Sequence, residues 1–230
     1  MIARLLLTTA LSSALVLTSP VIAFAQSPGY NWTGFYAGFG ASGVYDNSSI
    51  DFAIDNGVAE HLPIPTLGAG FTIKGGYNQQ AGNFVFGLEA ENTVLAAPGK
   101  ASNADFTASG NLEELLTLRA KLGVAADRML FYATAGVGAG RAQFGTDSGY
   151  GNFGSLGNGV GSAQGIVYGP VGGIGIEYAA NDKISIDAEA TVYSMSSITD
   201  SGKYSTTNVY YTGTYHPAGA TMTIGANFHF

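Results

Sequence analysis

The chain has 230 residues, only 11% of them charged, with 34 glycines, 13 tyrosines, 13 phenylalanines and no cysteine. Charge near a quarter is usual for a soluble globule, so this composition argues against one, and the missing cysteines exclude a disulfide framework, thiolate metal sites and a lipid-modified cysteine. A net charge of −7 with no basic cluster speaks against nucleic-acid binding.

Residues 1–25 place Arg4 before an apolar run from Leu5 to Leu17 and on to Ile22, and end in Ala23, Phe24 and Ala25. That is the charged, apolar and small-x-small order of a cleavable export signal. The mature domain is therefore expected to span 26–230. No later stretch approaches the 18 apolar residues of a spanning helix.

The rest alternates with period two. Trp32 to Tyr45 sets Phe35, Ala37, Phe39 and Ala41 against Gly34, Tyr36, Gly38 and Gly40. Its Gly38-x-Gly40-x-x-Gly43 spacing is a false nucleotide-binding match, because no helix of a βαβ unit follows. Asp46–Thr66 is expected to be a long polar loop, returning along Leu67–Tyr77 with Lys74 inward. A short turn, Asn78–Asn83, leads to Phe84–Thr93, where Glu89 and Glu91 lie opposite the apolar Phe86, Leu88 and Ala90. A loop, Ala96–Glu114, precedes Leu115–Ala125, which puts Arg119 and Lys121 within pairing reach of those carboxylates across the ladder. After the turn Ala126–Arg128 come Met129–Ala139, a loop at Phe144–Ser162, and Gly165–Tyr178, with Glu177 inward and Pro170 suggesting a bulge. Asn181 and Asp182 turn the chain into Ile184–Tyr193, with Asp187 and Glu189 inward. A last loop, Ser194–Gly219, leads to Thr221–Phe230.

Eight strands near the 9–11 residues of a tilted span, joined alternately by short turns and long loops, describe an all-β, eight-stranded antiparallel transmembrane barrel. The short turns face the periplasm and the four long loops the exterior. Closure must pair the first and last strands, since an unpaired edge in lipid leaves amides unsatisfied. Trp32, Tyr77, Phe84, Phe131, Tyr178 and Phe228 are expected to form an aromatic girdle at the short-turn end.

The inward set Lys74, Glu89, Glu91, Arg119, Lys121, Glu177, Asp187 and Glu189 is expected to be a salt-bridge network that plugs a narrow barrel. The alternatives are a selectivity filter or catalytic acid–base pairs. With His61 and His216 in loops and His229 at the periplasmic end, no nucleophile sits beside a base, so no enzyme is expected. We assign no metal-ligating set. Tyr210, Tyr211, Tyr215 and His216, with His61 in the first loop, have the side-chain types that hold haem. The competing reading is rim packing or a loop that meets other surface molecules.

The segments NWTGFYAGFGAS (Asn31–Ser42), GYNQQAGNFVFGLEAE (Gly76–Glu91), LRAKLGVAADRMLFYATAGVGAG (Leu118–Gly140), GGIGIEYAANDKISIDAEA (Gly172–Ala190) and TIGANFHF (Thr223–Phe230) resemble the small outer-membrane barrel proteins of alphaproteobacteria. These are the OmpA-like "porin family" proteins of the Brucella and rhizobial type. The resemblance implies an outer-membrane location in contact with lipid and lipopolysaccharide, and a terminal strand whose Phe228 and Phe230 are read by the barrel-assembly machinery. It further implies roles in envelope integrity and host-surface contact and, in some members, haem binding. A small-solute channel remains the other reading.

Overall fold

The computed structural model describes residues 29–55, 59–102, 107–147, 160–204 and 208–230. The expected export signal lies outside them. Among these residues there are eleven strands: β1 (Gly34–Ile54), β2 (Ala59–Ala81), β3 (Phe84–Ala96), β4 (Gly99–Ser102), β5 (Thr107–Ala126), β6 (Met129–Asp147), β7 (Val160–Ala179), β8 (Ile184–Ser194), β9 (Ile198–Lys203), β10 (Tyr210–His216) and β11 (Ala218–His229).

Eight of them close a ring, β1-β2-β3-β5-β6-β7-β8-β11, sealed by the antiparallel ladder from Tyr36↔His229 to Asp46↔Gly219. The remaining three extend the wall at one end: β4 pairs with β5, β10 with β1 and β9 with β10. The turns at the other end are tight. Gly82 takes φ 62° between β2 and β3, and Asp127 takes φ 54° between β5 and β6. The first turn is narrower than expected, because Asn78 to Ala81 still pair with Gly87 to Phe84.

The outer face carries a continuous apolar belt. Phe39, Phe71, Leu88, Leu118, Val137, Ile174, Ile186 and Ile224 are all more than half exposed. On β1 the belt runs from Phe35 to Tyr45, the height of one hydrocarbon layer at the usual strand tilt. It carries a direct prediction. Ala120, midway along the outward run Leu116–Val124, should cost about 2–4 kcal/mol when changed to Arg. Asn47→Arg, above the belt, should leave urea unfolding from vesicles unchanged.

Several expected loops are strand. β1 and β2 continue to Ile54 and from Ala59, β5 begins at Thr107, and β6 and β7 reach Asp147 and Val160. Above the belt the alternation inverts. Outward Asn47, Ser49 and Asp51 oppose inward Ile50, Phe52 and Ile54, because the exterior is now water and the interior an apolar core. Nor does Pro170 make a bulge: it keeps register with Val137, the ladder from β7 to β8 starting one residue later at Val171↔Tyr193. A register shift instead lies in the β5–β6 ladder, between Leu112 and Glu114.

Trp32 corrects the expected girdle. Tyr77, Phe84, Phe131, Tyr178 and Phe228 are exposed at the short-turn end, whereas Trp32 is fully buried. The segment before β1 folds into the barrel mouth and packs Tyr30 and Trp32 edge to face, centroids 4.7 Å apart, over Val85, Ala125 and Leu130.

Candidate functional site

The lumen is layered. Above the Tyr30–Trp32 plug lies a layer of charge, then an arc of hydroxyls linked Thr223–Ser42–Thr72–Thr93 at 2.7–2.9 Å. Over these sits an apolar layer that includes Leu112, Leu115, Phe144, Val171, Tyr193 and Tyr215.

Strand parity brings all eight expected charged residues inward, each at most 6% exposed. Arg119 is the hub. Its Nη2 donates to Glu89 Oε1 at 2.7 Å and to Glu91 Oε2 at 2.8 Å, while Nη1 donates to Glu189 Oε1 at 2.8 Å and Thr191 Oγ1 at 3.0 Å. Lys121 donates to Glu89 Oε2 at 2.9 Å and to the Tyr36 hydroxyl at 2.8 Å, with its ammonium over the rings of Tyr36 and Tyr132 at 4.7 and 4.5 Å. Lys74 pairs with Asp187 at 2.5 Å, and Glu177 accepts from Asn227 at 2.8 Å and bonds Ser185 and His229. Directly opposed residues Glu89 and Arg119 set the register that makes this possible.

Glu89, Glu91 and Glu189 are near enough to one another to hold a metal ion. The guanidinium of Arg119 bonds all three, so the cation their charge calls for is already supplied by the chain. Each cation of the network contacts a carboxylate, and every side chain is enclosed. Such a cluster fixes a barrel; it offers no exposed acid or base to a substrate.

The tyrosines and histidines singled out for haem do not converge. Period two turns Tyr211 and Tyr215 into the upper core, where Tyr215 is fully buried and donates to Ser48 Oγ at 3.0 Å. Tyr210 points out, 55% exposed. His61 and His216 also lie on the outer face, both on Asp51: His61 Nδ1 is 2.6 Å from Oδ1 and His216 Nε2 is 3.0 Å from Oδ2. Sequence reasoning missed Asp51 as their link, although Asp51↔His61 and Ser49↔His216 pairing would have revealed it. Asp51 stands six residues beyond Tyr45, clear of the belt. The hydrogen bond from His61, with the neighbouring His216, holds its carboxyl below the ordinary aspartate range.

A family model described as "Outer membrane protein beta-barrel domain" matches residues 10–229. The chain belongs to this outer-membrane β-barrel family. Its place is thus the bacterial outer membrane. The fold is similar to that of the outer membrane protein OprG from Pseudomonas aeruginosa, at 16% identity over 88% of this chain and 99% of that one, with a TM-score of 0.55. It is also similar to the outer membrane protease OmpT from Escherichia coli, at 7% identity over 87% and 98%, with a TM-score of 0.50. At such identities the likeness is one of fold. No curated protein matches the sequence. In this outer-membrane barrel the belt faces lipid, and the wall above Tyr45, with β4, β9 and β10, stands clear of it.

Proposed function

We propose that this is a non-enzymatic outer-membrane barrel of the OmpA-like, alphaproteobacterial porin-family type. It supports the envelope mechanically and meets other surface molecules through its external β-wall. The observation that carries this reading is the filled lumen, with Arg119 and Glu89 fully buried beneath an arc of linked hydroxyls and an apolar layer. Solute passage needs a wet path beside those charges, and catalysis needs at least one of them open to substrate. In this reading the lipid belt contacts the outer-leaflet lipopolysaccharide, and the terminal strand, with Phe228 and Phe230 edge to face at 5.3 Å, is the part read by the assembly machinery. Host surface molecules are the class of partner the exposed wall would meet.

Planar-bilayer recording tests it. The folded barrel, verified by heat-dependent gel mobility, should give a silent bilayer, and Glu89→Gln should stay silent. Steady conductance steps whose size changes in Glu89→Gln would establish a channel and remove the sealed-lumen reading.

A further inference from the structure

Asp51, His61 and His216 come from three neighbouring strands, β1, β2 and β10, and meet on the outer face above the lipid belt. Two imidazole nitrogens are turned onto the two oxygens of one carboxylate, at 2.6 and 3.0 Å. Their side chains are 63%, 53% and 44% exposed for His61, Asp51 and His216. As an ion-pair cluster at that exposure, the arrangement adds little to folding.

We propose that these three side chains form an external binding site for one divalent transition-metal ion of the zinc class. Two neutral imidazoles and a carboxylate are borderline donors suited to Zn2+, and three protein ligands leave a fourth position for water or an outside group. The donors of a tetrahedral site with bonds of about 2.0–2.1 Å stand roughly 3.3 Å apart. The N···O distances open by less than about 1 Å, and the larger movement is that of the two nitrogens, which sit on separate carboxylate oxygens and must close on one ion. Exposure lets the side chains make that adjustment, and the ladders hold the three backbones in place. Among the described residues β10 pairs with the ring along β1, through Ser49↔His216 to Ile54↔Tyr211, so an ion here also pins β10 to the β1–β2 hairpin. A water-bearing fourth position on the cell exterior is a point where a metal-seeking group of another molecule can attach.

The test is titration of the full folded barrel in detergent with Co2+, followed by its visible absorption, and with Zn2+ by calorimetry. The expected result is one saturable site whose Co2+ spectrum is displaced by Zn2+. It should be lost in His61→Ala, His216→Ala and Asp51→Asn, each still shifting in heat-dependent gel mobility. Absence of saturable binding, or binding that survives in the His61→Ala/His216→Ala double variant, would overturn the proposal.

Discussion

Arg119→Met is expected to destabilise the barrel by about 3–5 kcal/mol, because it strands Glu89, Glu91 and Glu189 together in an enclosed layer without their shared cation. The loss should appear as a lower urea midpoint for refolding into vesicles. Arg119→Lys should recover only part of it, since one ammonium cannot reproduce the guanidinium's contacts with three carboxylates and Thr191. The decisive comparison adds Glu91→Gln and Glu189→Gln to Arg119→Met and leaves Glu89 to Lys121. If the charge layer is a structural plug, neutralising the stranded carboxylates restores much of the stability. If the combined variant is as unstable as Arg119→Met alone, the cost lies in lost packing and the electrostatic account fails.

Trp32→Ala should cost about 3–5 kcal/mol, the range for emptying a large buried aromatic site. The indole is fully buried and closes the short-turn mouth with Tyr30 and His229, at centroid distances of 4.7 and 5.8 Å. Trp32→Phe should cost much less: its ring fills most of the space, and the indole N–H it removes has no hydrogen-bond partner among the described residues. Thermal unfolding in detergent, scored by gel mobility, separates the two. The chain has a single tryptophan, so wild-type emission reports this mouth alone and should be shielded from iodide in the folded barrel. Equal losses for the two variants would show that the mouth depends on the indole specifically and not on filled volume.

The membrane-spanning part of this fold was legible because one physical rule, apolar out and polar in, holds along the eight ring strands within the lipid belt. That rule also placed Lys74, Arg119 and the five carboxylates on the inner face. It failed above Tyr45. There Ile50, Phe52, Ile54 and Ile64 point inward while Asn47, Ser49 and Asp51 point outward, so the same strand changes polarity as it leaves lipid. Read with the membrane rule alone, that stretch looks like a polar loop. Trp32 was misplaced for a related reason. Aromatic character at a strand end suggested the girdle, yet its parity with Gly34 and Tyr36 already put it inside. The pairing of Asp51 with two histidines needed the register of β10 on β1, which the sequence carries only weakly because β10 lies far from β1 in the chain and pairs with it over six residues.

The inversion of polarity above Tyr45 separates two duties on alternate residues of one backbone. Inner positions hold this wall together, while outer positions such as Asn47 and Ser49 pack against nothing inside and can be rewritten one by one without disturbing the frame. A partner that docks there meets main chain already fixed by its ladders. The ordering entropy that a floppy loop would surrender on binding, about 1–2 kcal/mol for each backbone residue, has been settled when the barrel folds. Recognition on this face can then depend on a few side chains, with discrimination set by their spacing on a rigid grid.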